Sequence, residues 1–129
     1  MENELKRYNA LELAYLGDAV FELMVREYFL RSLASGVGDL NAHVFKVVKA
    51  TSQAKATLAL QEALSEEEWG YVKYGRNANK STLSRNSSAR EYRYATGLET
   101  LFGALYLKGD IPRLKEILEM ILEVLHEEH

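Results

Sequence analysis

An all-α fold follows from three features of the 129-residue sequence. Apolar residues recur at three- and four-residue intervals, the spacing that lines one helix face, and nothing alternates at period two for long. Capping signatures, a polar residue with Glu three positions later, stand at Asn9/Glu12 and Ser65/Glu68. The only proline, Pro112, follows Asp110 closely enough to sit in a first helical turn. The length is that of one domain, 1–129, and 47% hydrophobic residues suffice for a core.

About six or seven helices are expected. The first is capped by Asn9 and runs through Leu33, where Ser35-Gly36-Val37-Gly38 breaks it. Asp39 is placed to cap a second helix carrying Leu40, Val44, Phe45, Val47 and Val48. A third covers roughly Ser52 to Leu64. Ser65 opens a fourth, whose triplet Glu66-Glu67-Glu68 suits a positive helix end, and which stops near Gly75. Residues 76–88 are polar, rich in Asn and Ser, and read as a long loop. A fifth helix spans about Ala89 to Lys108, with Gly109 as its stop. Asp110 caps the last, whose core face is Leu114, Ile117, Leu118, Ile121, Leu122 and Leu125.

Composition excludes several function classes. With no cysteine, disulfides, zinc–thiolate sites and thiol catalysis are out. The acidic N-terminus lacks the layout of a signal peptide, and no charge-free run is long enough to cross a membrane, so a cytoplasmic address is expected. The net charge of −3 conceals a strong segregation. Residues 71–96 hold Lys73, Arg76, Lys80, Arg85, Arg90 and Arg93 against Glu91 alone. A local basic patch of this kind is the footprint of a phosphate-binding surface.

Two carboxylates stand where helical spacing puts apolar residues. Asp18 shares a stripe with Leu11, Ala14, Glu22, Val25 and Phe29, and Glu99 one with Tyr92, Ala95, Thr96, Phe102, Gly103 and Tyr106, both mostly apolar. A carboxylate on such a face is costly unless a cation, a metal or several hydrogen bonds compensate it. Glycines accompany both: Gly17 beside Asp18, and Gly97 and Gly103 flanking Glu99. Glycine inside a helix costs about 1 kcal/mol against alanine, so its repeated use points to close backbone approach. Helices crossing there would bring the two acids together as an oxygen-only Mg²⁺ site. The plainer alternative is that each acid simply pairs within a helical core. Glu22, one turn after Asp18, is either a further ligand or the partner of Arg26 at i+4.

Leu13-Ala14-Tyr15-Leu16-Gly17-Asp18-Ala19-Val20 resembles the signature of the ribonuclease III family, and Glu99 to Leu107 resembles that family's second acidic motif. Gly75-Arg76-Asn77-Ala78 and Tyr92-Arg93-Tyr94-Ala95-Thr96 resemble its short bacterial branch, Mini-III, which lacks a double-stranded-RNA-binding domain. The likeness runs from about Leu11 to Asp110 and leaves no room for that domain. It implies a ribonuclease III-like endonuclease domain that works as a homodimer on double-stranded RNA. It also implies Mg²⁺, with Mn²⁺ as a substitute, held by Asp18 and Glu99. Two family carboxylates are missing, replaced by Ala14 and Thr96, and Ser84-Arg85-Asn86 replaces the usual Pro-Lys-Asn of the loop. Tyr15 matches an aromatic residue that the family inserts into the partner subunit. The branch implies maturation of 23S ribosomal RNA precursor, with a large-subunit ribosomal protein as a further partner. The candidate RNA contacts are Lys73, Arg76, Asn77, Lys80, Arg85, Asn86, Arg90 and Arg93. The rival reading is a non-catalytic RNA-binding or ribosome-associated module on the same scaffold.

Overall fold

A computed structural model describes residues 5–79 and 87–127. After a short 3-10 turn, Leu5–Arg7, come α1 (Ala10–Leu33), α2 (Val37–Val48), α3 (Ala50–Ala59), a second 3-10 turn (Gln61–Ala63), α4 (Glu66–Ala78), α5 (Ser87–Leu107) and α6 (Ile111–Leu125). The described residues contain no strand. Both capping boxes form as the sequence signals. The Asn9 side chain accepts from the Glu12 backbone N–H while Glu12 accepts from that of Asn9, each at 2.8 Å. Ser65 and Glu68 do the same at the head of α4.

The central element is α5, which packs against α1, α3, α4 and α6. Its Leu98, Leu101, Phe102 and Leu105 are buried among Leu13, Phe21, Val25 and Phe29 of α1 and Leu114, Ile117, Ile121 and Leu122 of α6. Phe21 and Phe102 meet edge to face with centroids 5.0 Å apart. Each such side chain contributes about 1.5–3 kcal/mol by leaving water. Polar fasteners set the angles. The buried Thr100 hydroxyl lies between the carbonyls of Thr96 (2.8 Å) and Ala10 (3.2 Å), so the start of α1 is tied to the middle of α5. Arg113 of α6 donates two 2.8 Å hydrogen bonds to Glu68 and one of 3.1 Å to the Ala63 carbonyl, joining α6 to α4. That guanidinium holds the Glu68 carboxyl below its ordinary range.

Two glycine pairs let backbones touch. A Cβ added at Gly17 would overlap the Glu99 carbonyl, and one at Gly103 the Leu13 carbonyl, so α1 and α5 cross with no side chain between them. At the second crossing a Cβ on Gly97 would stand 2.5 Å from the Val72 carbonyl oxygen, and one on Gly75 would overlap the Thr100 side chain. Gly97 therefore serves the α4–α5 contact, not the α1–α5 contact expected from its place near Glu99.

Several helix boundaries differ from the sequence reading. The second helix begins at Val37 with Gly36 as N-cap at φ +97°, a conformation open to glycine, and Asp39 sits inside the first turn, where it accepts from the Ser35 hydroxyl. The third helix starts at Ala50 and ends at Ala59, before a separate turn. Gly75 does not stop α4, because it is needed at the crossing; the helix continues to Ala78, and Asn79 N–H closes it on the Gly75 carbonyl. Arg76 and Asn77 are thus helical, and α5 already starts at Ser87. The rest of the expected loop, residues 80–86, lies outside the described residues.

Gly17→Ala should lower the melting temperature by well over 10 °C or abolish folding, since a backbone must move. Gly70→Ala, at a helical site with nothing within 4 Å of the added carbon, should instead gain about 0.5–1 kcal/mol. Thermal denaturation of the two variants checks this.

Candidate active site

The α1–α5 crossing decides where the two carboxylates go. Gly17, not Asp18, faces the α5 backbone. Asp18 is one residue on, turned by about 100° to the rim of the crossing. Its side chain is exposed rather than buried in an apolar stripe, which corrects the sequence expectation. Glu99 is half-buried beneath it. The two carboxyls lie within hydrogen-bonding reach, and burial together with the Asp18 carboxylate pushes the Glu99 pKa up to about 8. At neutral pH Glu99 therefore retains its proton.

A third polar group meets this pair. Gln53 of α3 is 3% exposed, and its side-chain amide lies against the Glu99 carboxyl, favouring the ionised form. No local pattern selects it: Gln53 stands in an unremarkable Ser-, Thr- and Ala-rich helix, and only the packing of α3 on α5 brings it in. Glu22 is half-buried and accepts from Arg26, with Nε at 2.9 Å, so of its two readings the ion pair is formed. Among the described residues no group of three acidic, imidazole or thiol side chains is placed to hold a metal. What the chain offers a cation is an all-oxygen pair, Asp18 and Glu99. That donor set suits Mg²⁺ or Mn²⁺, which fill their remaining positions with water and substrate oxygens. The proton kept by Glu99 fits the same reading, since a cation there would offset the charge that burial penalises.

The two missing carboxylates have structural replacements. Ala14 is buried, with 6% of its surface exposed, so an acid there would sit inside the helix packing. Thr96 donates to the Tyr92 carbonyl (2.9 Å) and accepts from the Asn79 amide (2.8 Å), which ties the end of α4 to α5 one turn before Glu99. Close by, the guanidiniums of Arg76 and Arg90 stand over the Tyr94 ring at 5.7 and 5.2 Å from its centroid. Lys73, Asn77 and Arg90 are exposed, and Arg76 and Arg93 half-buried. Lys80, Arg85 and Asn86 lie outside the described residues. Tyr15, 84% exposed, is not a core tyrosine.

Residues 11–110 match the ribonuclease III domain family. A Mini-ribonuclease 3 from Clostridium tetani is 38% identical over 127 residues, covering 98% of this chain and 84% of the relative. One from Synechocystis is 46% identical over 109 residues, covering 84% and 74%. A crystal structure of a Fusobacterium nucleatum protein superposes with a TM-score of 0.81 at 32% identity, covering 95% of this chain and 98% of that one.

The raised Glu99 pKa carries a sign. Between an unfolded value of 4.5 and a folded value of about 8, the folded protein keeps a proton that the unfolded chain has released. Its contribution to stability is therefore full below pH 4.5 and is lost as pH rises towards 8. In chelator, Glu99→Gln should melt several degrees above the parent at pH 8 and close to it at pH 5. Melting curves at the two pH values check the difference.

Proposed function

The chain belongs to the ribonuclease III family and is an endoribonuclease of that type; from this premise we propose that it cuts double-stranded RNA at Asp18 and Glu99 with a bound divalent cation, Mg²⁺ or Mn²⁺. The observation that carries the site is the pairing of the two carboxyls at the Gly17–Gly103 crossing. Such a cation supplies an activated water and offsets charge at the phosphodiester. Asp18, on the rim, meets the approaching phosphate side, and Glu99, deeper, gives up its proton as positive charge arrives. Lys73, Arg76, Arg90 and Arg93 neutralise phosphates, and Asn77 reaches sugar hydroxyls. Duplex RNA is read this way by backbone and shape more than by base edges.

A homodimer completes the reading, because a twofold assembly matches the local symmetry of a duplex and gives each strand one acid pair. The exposed Tyr15 supports it, as does an apolar groove of about 640 Å³ between α1 and α6, lined by Leu16, Leu23, Met24, Tyr106 and Ile111. The substrate proposed is 23S ribosomal RNA precursor, with a large-subunit ribosomal protein as a further partner. This reading is supported by the Mini-ribonuclease 3 relatives.

Incubated with duplex RNA and Mg²⁺, the protein should cleave it. Asp18→Asn and Glu99→Gln should each lose at least a hundredfold in rate while still binding the duplex. Binding without cleavage by the parent protein would identify a binding module instead. In a separate salt titration, Arg76→Gln with Arg90→Gln should weaken duplex binding and reduce the slope of log affinity against log salt by about 1–2. An unchanged slope would remove these two residues from the interface.

A further inference from the structure

The last turn of α4 carries Arg76 and Asn77, and it is held to α5 through its cap. Asn79 closes α4 with its backbone N–H on the Gly75 carbonyl at 3.2 Å. Its side-chain Nδ2 donates to the Thr96 hydroxyl oxygen at 2.8 Å and to the Tyr92 carbonyl at 3.4 Å. The amide orientation is fixed, since the reversed one would set Oδ1 against the Tyr92 carbonyl oxygen. The Thr96 hydroxyl commits its single proton to that same carbonyl at 2.9 Å, so its oxygen meets Asn79 as an acceptor. The same turn is tied a second time, because Arg76 Nη1 lies 3.5 Å from the Tyr94 hydroxyl. A carboxylate at position 96 would take the bond from Asn79 as well. It would also set a negative charge at the cap of the turn that carries Arg76 and Asn77, where phosphate is to approach. A hydroxyl gives the bond without the charge.

We propose that Thr96 is a positioning residue for RNA: through Asn79 its hydroxyl holds the last turn of α4 where Arg76 and Asn77 meet the duplex. The inference rests on the duplex-RNA reading given above. Asn79 stands three residues beyond Arg76, within one helical turn, so the hold is short and direct. Side chains arranged before binding lose less freedom when the ligand arrives, so the worth of the bond appears as affinity. Thr96 acts through Asn79 and not at the acid pair, and the rate with duplex already bound does not depend on it.

Duplex RNA binding by the full chain in chelator, measured across a salt series, tests this, with single-turnover cleavage in Mg²⁺ at saturating duplex as the second readout. Thr96→Val keeps the shape and drops the hydroxyl. It should bind the duplex about fivefold more weakly, lower the slope of log affinity against log salt by about 1, and leave the saturating rate within about twofold of the parent. Thr96→Ser should restore affinity and slope. Asn79→Ala cuts the same bond from α4, and adding Thr96→Val to it should cost nothing further. Arg76→Gln should cost less affinity in the Thr96→Val background than in the parent. Parental affinity in Thr96→Val, additive losses in the double variants, or a lower saturating rate at unchanged affinity each overturn the proposal and leave the RNA reading standing. A parent that binds no duplex overturns both. Should Thr96→Val not fold, Asn79→Ala decides: parental affinity there overturns the proposal.

Discussion

Two helix backbones in direct contact are the constraint on which the rest depends. Where Gly17 and Gly103 meet, nothing larger than hydrogen fits between α1 and α5. The closeness sets how deep Glu99 sits and how far Asp18 stays out. With a side chain at either glycine the helices would separate, and the acids would become two unrelated surface charges. The core of α5 supplies the force that closes the contact, and the Thr100 hydroxyl fixes where along α1 the crossing falls. Binding chemistry is thus a by-product of packing geometry.

What could be read from the sequence follows from the range of the interactions concerned. The capping boxes at Asn9 and Ser65 act over three residues and form as expected. Pro112 and Asp110 likewise mark the start of α6. The pairing of Asp18 with Glu99 could be suspected, because acids and glycines stood out against apolar stripes. Its asymmetry could not, since periodicity gives an angle around one helix but not the depth of a neighbour. Gly97 shows the same limit: a helix-breaking residue signals close approach without saying to what. Gln53 left no trace in the pattern, because its meaning lies wholly in the contact of α3 with α5. Helical spacing singled out Asp18 and Glu99 and the family resemblance met the same two residues, while packing accounts for what stands at Ala14 and Thr96.

The basic face is organised by neutral groups as much as by charge. Tyr94 offers its ring to Arg76 from α4 and Arg90 from α5, drawing two cations onto one spot despite their repulsion. Beside it, the Asn79–Thr96 bond joins the residue that caps α4 to the helix that carries Glu99. A chain with an overall charge of −3 can therefore present a strongly positive surface next to a negative one. On the proposed function, an anionic polymer would be drawn to the first and repelled by the second until a cation is bound.

The tie between Ala10 and Thr100 has a consequence for the order of events during synthesis. Asp18 leaves the ribosome early and α1 can coil at once, but its counterpart on α5 emerges only when most of the chain has been made. Translation thus acts as a timer. Until the segment carrying Glu99 is out, a growing chain holds Asp18 without its partner, and the acid pair of the proposed site cannot form.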